Sequence, residues 1–353
     1  MSVPETPGKS VSPWTAPEGL PAAAAERVRS WWERAERVYP PNTQKAWRSD
    51  WAVFLGFCEP RGECPLPATP ETVAAFVEHC KNLSRKPATV RRYLSTIAVA
   101  HRVAKLLNPC SDESVQLELK GLTNVLNARQ RQARALGWAQ IKTFLETAGE
   151  SLPATRERAL LCVAYDTMAR RAELVALNVE DLEFLADGTG RALIRRSKTD
   201  QAGEGDIAYL SRTTVRYLKL WLEAAEITYG AMFRRVIGRG TVTADYEGSG
   251  AIGERLSVDA IAHAFKRVAK WIKMPPNEVA EVSGHSIRVG ATQDLLALNI
   301  DLASVMQAGR WKTHRMPMRY GELVLAARGG MARAAREQGR DQSDHPALYR
   351  SGR

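Results

Sequence analysis

From Pro21 to about Val38, bulky residues recur at helical spacing (Val28, Trp31, Trp32, Ala35), and the same period returns four more times before residue 132. A second helix, capped by Asn42 or Thr43, is predicted to turn Ala46, Trp47, Trp51, Phe54 and Leu55 inward and to stop by Gly62 and the Pro65/Pro67 pair. Thr69-Pro70 opens a third helix with Val73, Phe76, Val77 and Cys80 on its core face. Pro87 opens a fourth with Val90, Leu94, Ile97 and Val99 inward, and a fifth runs from Asp112 to about Arg131. Five helices with short connections predict a helical bundle over 21–132. The Pro/Ser/Thr-rich residues 1–20 read as a disordered arm.

The pattern changes after the polar stretch from Gln130 to Gly137, where the domain boundary is placed. Helices at about 138–148 and 153–170 lead into LNVEDLEF, GRALIRR and GDIAYLS, separated by Asp187-Gly188 and by the Gly203/Gly205 loop. These runs predict a small three-stranded antiparallel sheet. Helices resume at about 211–225, 257–272, 285–298 and 301–308. The expected fold is mainly α: an N-terminal helical bundle over 21–132, then a mostly helical α+β domain over 133–337 with one small sheet, and a flexible tail over 338–353.

Composition is that of a globular chain, 44% hydrophobic and 25% charged over 353 residues. Charge changes the picture more: 50 Lys and Arg against 39 Asp and Glu leave +11, and residues 1–134 alone carry 19 basic and 13 acidic side chains. Such a balance points to a polyanionic partner, nucleic acid first, rather than a membrane surface. The five cysteines form no C-x-x-C pair, which argues against a disulfide framework or a zinc ribbon. The acidic, proline-bearing N-terminus does not resemble a signal peptide, so a cytoplasmic, nucleoid-associated protein is expected.

Five scattered groups could carry chemistry. Arg170 and Glu173 share one helix face at i,i+3; read alone, they are a solvated ion pair. Lys198 sits at the tip of an expected hairpin, where lysine ordinarily serves solubility. Gly284-His285-Ser286-Ile287-Arg288 looks like a helix start, which suits an anion, though a capping His and a surface Arg read equally well. Trp311 alone reads as core, and Tyr320 as a half-buried aromatic.

Taken in order, Arg…Lys…His-x-x-Arg…Trp…Tyr, with the last two nine residues apart, resembles the tyrosine recombinase (phage integrase) family. The segments AYDTMARRAELVALNVEDL, RRSKTD, VSGHSIRVGATQDL and VMQAGRW…MRY carry the resemblance, and NTQKAWRSDWAVFLGFC resembles the family's SAM-like core-binding domain. The resemblance spans about residues 21–335. It implies a C-shaped clamp on double-stranded DNA with a specific, inverted-repeat site. It implies a homotetramer coupled by exchange of a C-terminal helix, here LVLAARGGMARAARE, whose alternative is a helix packed on its own domain. No cofactor and no metal are expected.

By the same resemblance Tyr320 is the nucleophile, Arg170 and Arg288 clamp the phosphate, Lys198 protonates the leaving 5′ oxygen, and His285 acts as base or donor. Trp311 gives its indole N–H to the phosphate, at a position where the family often has a second His, and Glu173 orients the basic residues. His314 is taken as a bystander. Arg171 competes with Arg170 for the first role, and the R-x-x-E spacing favours Arg170. Pro317, three residues before the tyrosine, departs from the pattern but suits the first turn of a short helix.

The groove-facing candidates are Thr43, Lys45 and Arg48, then Thr89, Arg92, Tyr93 and Thr96, and in the second domain Asp259, Ala262, His263, Lys266 and Arg267; each could equally be a solvated helix face. Three other readings compete with this one. A type IB topoisomerase or telomere resolvase shares the chemistry but fits the length and N-terminal bundle less well. A DNA-binding protein with a dead site conflicts with the full catalytic set. A metal-dependent nuclease lacks the carboxylate cluster it would need.

Overall fold

Prolines at the first helical position start three of the N-terminal helices: α2 (Pro41–Cys58), α3 (Pro70–Asn82) and α4 (Pro87–Ala104), flanked by α1 (Ala22–Val38) and α5 (Glu113–Val125). A ring nitrogen without a hydrogen is harmless there, because that N–H has no intrahelical partner anyway. The structure is a computed structural model that describes residues 12–14, 20–126, 131–195, 205–237 and 251–341. The chain divides into two compact units, Met1–Gln130 and Arg131–Arg353.

In the first unit α2 begins at Pro41, so Asn42 and Thr43 lie inside the helix rather than capping it. The third helix has the expected cap, with Thr69 Oγ1 accepting from the Thr72 N–H at 3.2 Å. The fifth ends at Val125, short of Arg131. Trp32, Trp51, Phe54, Phe76 and Ile97 are fully buried at the centre. Trp14 joins them at 0% exposure, stacked on Trp31 at 5.3 Å and edge-on to Trp32 at 5.5 Å. Residues 12–14 therefore correct the expectation of a disordered arm over 1–20. An indole buries about 150–250 Å², enough to hold a short segment that composition alone reads as loose.

The second unit is built around α7 (Leu152–Thr167), whose run Ala159–Ala164 is buried on every side, as a helix in the middle of a core must be. Around it lie α6 (Trp138–Thr147), α8 (Arg171–Ala176), α9 (Arg212–Ala224), α10 (Val258–Trp271), α11 (Pro276–Glu281) and α12 (Ser286–Ala297). The expected antiparallel sheet is present as β1 (Leu182–Phe184), β2 (Gly190–Ile194) and β3 (Asp206–Leu210), with Leu182 opposite Ala192 and Ala192 opposite Ala208. Its alternation is strict: Ala192, Ile194, Ala208 and Leu210 face the core while Arg191, Ile207 and Tyr209 face out.

A second antiparallel pair, β4 (Arg234–Ile237) with β5 (Ala251–Arg255), corrects the expectation of one sheet only. Four short helices close the described chain: α13 (Leu302–Ala308), α14 (Arg315–Tyr320), α15 (Glu322–Arg328) and α16 (Gly330–Glu337). The tail expected over 338–353 lies outside the described residues beyond Asp341.

Candidate active site

The site begins where α7 stops. Met168 takes a left-handed conformation (φ 46°), which ends the helix and leaves the carbonyls of Thr167 and Met168 aimed at incoming guanidiniums. Arg170 follows in extended conformation, just before α8 rather than within one helix with Glu173. The Glu173 carboxylate reaches back to it twice, accepting from the Arg170 backbone N–H at 2.9 Å and from Nη1 at 2.7 Å. Burial alone would raise the Glu173 pKa; the hydrogen bonds from Arg170 and the charges of Arg310 and Arg170 outweigh it and hold the carboxyl below its usual range. Arg171 pairs with Asp259 at 3.3 Å rather than with Glu173.

Helix α12 supplies the second arginine. Its close approach to the chain depends on Gly290, where a Cβ would lie 2.2 Å from the Leu136 carbonyl oxygen. Arg288 is 3% exposed and donates from Nη1 to the Met168 carbonyl and from Nη2 to the Gly309 carbonyl. Its guanidinium lies 4.3 Å from the centroid of the Trp311 ring. Gly309 permits that ring position, since a Cβ there would fall 2.0 Å from it. Desolvation first, then the charges of Arg170 and Arg310, lower the Arg288 pKa to about 10, so it remains a cation at neutral pH. A buried guanidinium beside two others is costly unless an anion is meant to join them.

Tyr320 is the last residue of α14, and its ring packs edge-on to Trp311 at 5.9 Å. Trp311 is thus in contact with both Tyr320 and the Arg288 guanidinium. The Tyr320 carbonyl accepts from Gln293 Nε2 of α12 at 3.0 Å, tying α14 to the helix that carries Arg288. Pro317 is the third residue of α14 and buried, so it sits in the first turn where proline is tolerated. His285 caps the start of α12 and stays open to solvent. Partial desolvation, then the charges of Arg288, Arg171 and Arg170, push its imidazole pKa down.

Arg170, Glu173, Arg288, Trp311 and Tyr320 thus meet in one place, with His285 at its solvent edge. Lys198 lies outside the described residues. His314 is exposed at the start of α14. Sequence reasoning missed Arg310: 6% exposed in its side chain, it donates to Glu173 Oε2 at 2.9 Å and to the Thr167 carbonyl at 2.8 Å. Its one signal was a charge adjoining Trp311.

The groove-facing candidates fare unevenly. Tyr93 and Thr96 are 6% and 2% exposed, and Thr96 Oγ1 donates to the buried Asp50 at 3.2 Å. They point into the bundle, which corrects their assignment. Arg92 forms a two-pronged bond to the same carboxylate, at 2.7 and 3.0 Å, with half its side chain open. Arg48 lies over Trp32 at 4.7 Å and pairs with Glu36 at 3.0 Å. Arg267 pairs with the buried Glu157. Lys45, Asp259 and His263 are exposed; Thr43, Thr89, Ala262 and Lys266 are half-buried. Among the described residues no three His, Cys, Asp or Glu side chains gather as metal ligands would, and no helix is long and apolar enough to cross a membrane.

Comparison with known proteins fits this geometry. Residues 134–324 match the Phage integrase family. The chain is 28% identical over 299 residues to the integrase/recombinase XerD homologue of Selenomonas ruminantium, covering 82% of this chain and 84% of that one. It is 25% identical over 313 residues to the Cre recombinase of Escherichia phage P1, covering 85% and 89%. Its fold is similar to that of the Tn1549 transposon integrase in complex with transposon right-end DNA, with TM-score 0.61 at 13% identity, covering 91% of this chain and 99% of that one.

Proposed function

Since the chain belongs to the phage integrase family and is a tyrosine-type site-specific recombinase, we propose that it cuts and rejoins duplex DNA by metal-independent transesterification through Tyr320. The Tyr320 phenol oxygen attacks the scissile phosphorus. The bond to the 5′ oxygen breaks, leaving a 3′-phosphotyrosyl link and a free 5′ hydroxyl that later reverses the step on the partner strand. Bond energy is kept in the covalent intermediate, so no energy source is consumed.

Each neighbour has a task in this scheme. Arg170 and Arg288 bind the two non-bridging oxygens, where charge grows in the transition state. The carbonyls of Met168 and Gly309 hold Arg288 in place beforehand, so little reorganisation is left to the reaction. Trp311 stacks on that guanidinium and offers its indole N–H to the phosphate. His285, its pKa depressed, is neutral near pH 7 and accepts the Tyr320 proton. Lys198 gives a proton to the departing 5′ oxygen. Glu173 orients Arg170.

The DNA is a specific site with inverted repeats, gripped by Thr43, Lys45, Thr89 and Arg92 of the first unit and by His263 and Lys266 of the second. Four subunits assemble on two sites through exchange of the C-terminal helix and pass through a Holliday junction. That helix region leaves Leu323 and Met331 77% and 75% exposed, apolar surface a neighbouring subunit would cover. A nucleoid-associated location follows from this substrate.

The observation that supports the proposal is the run of contacts from Tyr320 to Trp311 and from Trp311 to Arg288, with Arg170 close enough for its charge to lower the Arg288 pKa. It is tested with a site selected from random DNA, nicked so that cleavage cannot be reversed. A covalent protein–DNA adduct is expected with EDTA present, and Tyr320→Phe should abolish it. An adduct undiminished in that variant would refute the role of Tyr320.

A further inference from the structure

Glu173 is shared between two arginines, and only one of them has an assigned task. We propose that Arg310 is a positioning residue of the strand-cleavage site: it keeps the Glu173 carboxylate paired so that Arg170 can turn its guanidinium to the phosphate. This rests on the recombinase reading above.

The geometry separates the two cations by exposure and by anchoring. Arg310 is held from both sides, Nη1 on the Thr167 carbonyl at 2.8 Å and Nη2 on Glu173 Oε2 at 2.9 Å, with a side chain 6% exposed. Both of its terminal nitrogens are therefore engaged within the fold, one of them on a carboxylate. The guanidinium of Arg170 is more open, at 21%, and its hydrogen bond among the described residues is the one from Nη1 to Glu173 Oε1 at 2.7 Å. Arg170 therefore keeps donors for an incoming anion. The left-handed backbone at Arg310 (φ 52°) turns its side chain toward Glu173 while the next residue, Trp311, lies against Arg288. Adjacent residues thus serve the two phosphate-binding arginines, one by direct stacking and one through a carboxylate.

The physical reason is charge balance in a dry place. Glu173 is 5% exposed. With Arg170 as its sole cation it would have two poor options once a phosphate arrived. It could hold Arg170 back, or be left as a buried charge without a counter-ion. A second, immobile guanidinium removes the choice. Among the described residues Arg288 of α12 also feels the Glu173 charge, and the Asp206 carboxylate of β3 is 3.9 Å from Arg310 Nε. Among the described residues the cations bonded to Glu173 are Arg170 and Arg310.

The test uses the full chain as wild type, Arg310→Met, Arg310→Lys, Glu173→Gln and the Met/Gln double variant. In the wild type the Glu173 pKa is depressed, so its stabilisation is present above the unfolded value and lost as pH falls through the folded one. Without Arg310 the folded pKa rises, so low pH becomes the kinder condition. Arg310→Met should lower Tm more at about pH 7.5 than at about pH 5. Arg310→Lys should recover most of the loss, and on the Glu173→Gln background the pH dependence should vanish. If Arg310→Met does not fold, Arg310→Gln against Arg310→Lys gives the same contrast.

On a nicked site Arg310→Met should form adduct about tenfold more slowly near pH 7.5 with DNA affinity kept, and about twofold or less when added to Glu173→Gln. Equal losses at both pH values and on both backgrounds would overturn the proposal and leave Arg310 as packing. Should the wild type form no adduct, the recombinase reading fails, while the melting series still decides the linkage between Arg310 and Glu173.

Discussion

Arginines in the two units of this protein live under opposite conditions. In the first, Arg92 and Arg48 lie at the surface and spend their donors on carboxylates, Asp50 and Glu36, that tie helices together. In the second, Arg288 is buried, and the backbone carbonyls of Met168 and Gly309, at the ends of α7 and α13, fix its direction. A guanidinium held by carbonyls keeps its full charge for a ligand, whereas one held by a carboxylate is already neutralised. The contrast teaches that the second unit keeps in its interior a guanidinium, Arg288, held by carbonyls, while Arg48 and Arg92 of the bundle serve its architecture.

The largest effect that would break this contrast is expected at Arg288. Arg288→Ala should slow adduct formation on a nicked site by about a hundredfold or more while leaving DNA affinity nearly unchanged, measured by single-turnover cleavage against binding. Next comes pH. His285 must be neutral to accept a proton, and its pKa is lowered. Cleavage should therefore stay level down through the ordinary imidazole range and fall only below it, by about tenfold per pH unit, a limb absent in His285→Gln.

A smaller effect sharpens the other side. Thr96→Val should cost about 1 kcal/mol of stability, read by thermal melting, and leave DNA affinity untouched, because its hydroxyl serves the buried Asp50. Least of all, Lys45→Ala should weaken binding by less than about 1 kcal/mol, and reduce the slope of log affinity against log salt by about one if it touches a phosphate.

Much of this was legible in the residues and some was not. Prolines at 70 and 87 mark helix starts because the first turn tolerates the ring, and the alternation in GRALI and DIAYL reports a sheet with one wet face, whereas Pro41 was passed over for Asn42 or Thr43. The second sheet was hidden, since RRVI and AIGER are short runs with charged ends. Trp14 was hidden by its Pro-rich surroundings. Tyr93 was misread despite a clear signal: it stands three residues from Val90 and lies on the same buried stripe as Leu94, Ile97 and Ala100.

Order and spacing picked out Arg170, Glu173, Arg288, Trp311 and Tyr320, which the structure places near one another, while Lys198 lies outside the described residues. Arg310 escaped because its inward direction depends on a left-handed backbone that no pattern announces. Arg288, which could as well have been a surface charge on a first turn, is buried because Gly290 draws its helix against the chain at Leu136.

The central claim is that the phosphate passes onto one particular phenol. Adduct trapped on a nicked site in EDTA, digested with protease and nuclease and read by mass spectrometry, should carry its nucleotide remnant on the peptide containing Tyr320. A remnant on any other residue, or a cleavage product bearing no protein at all, would contradict it.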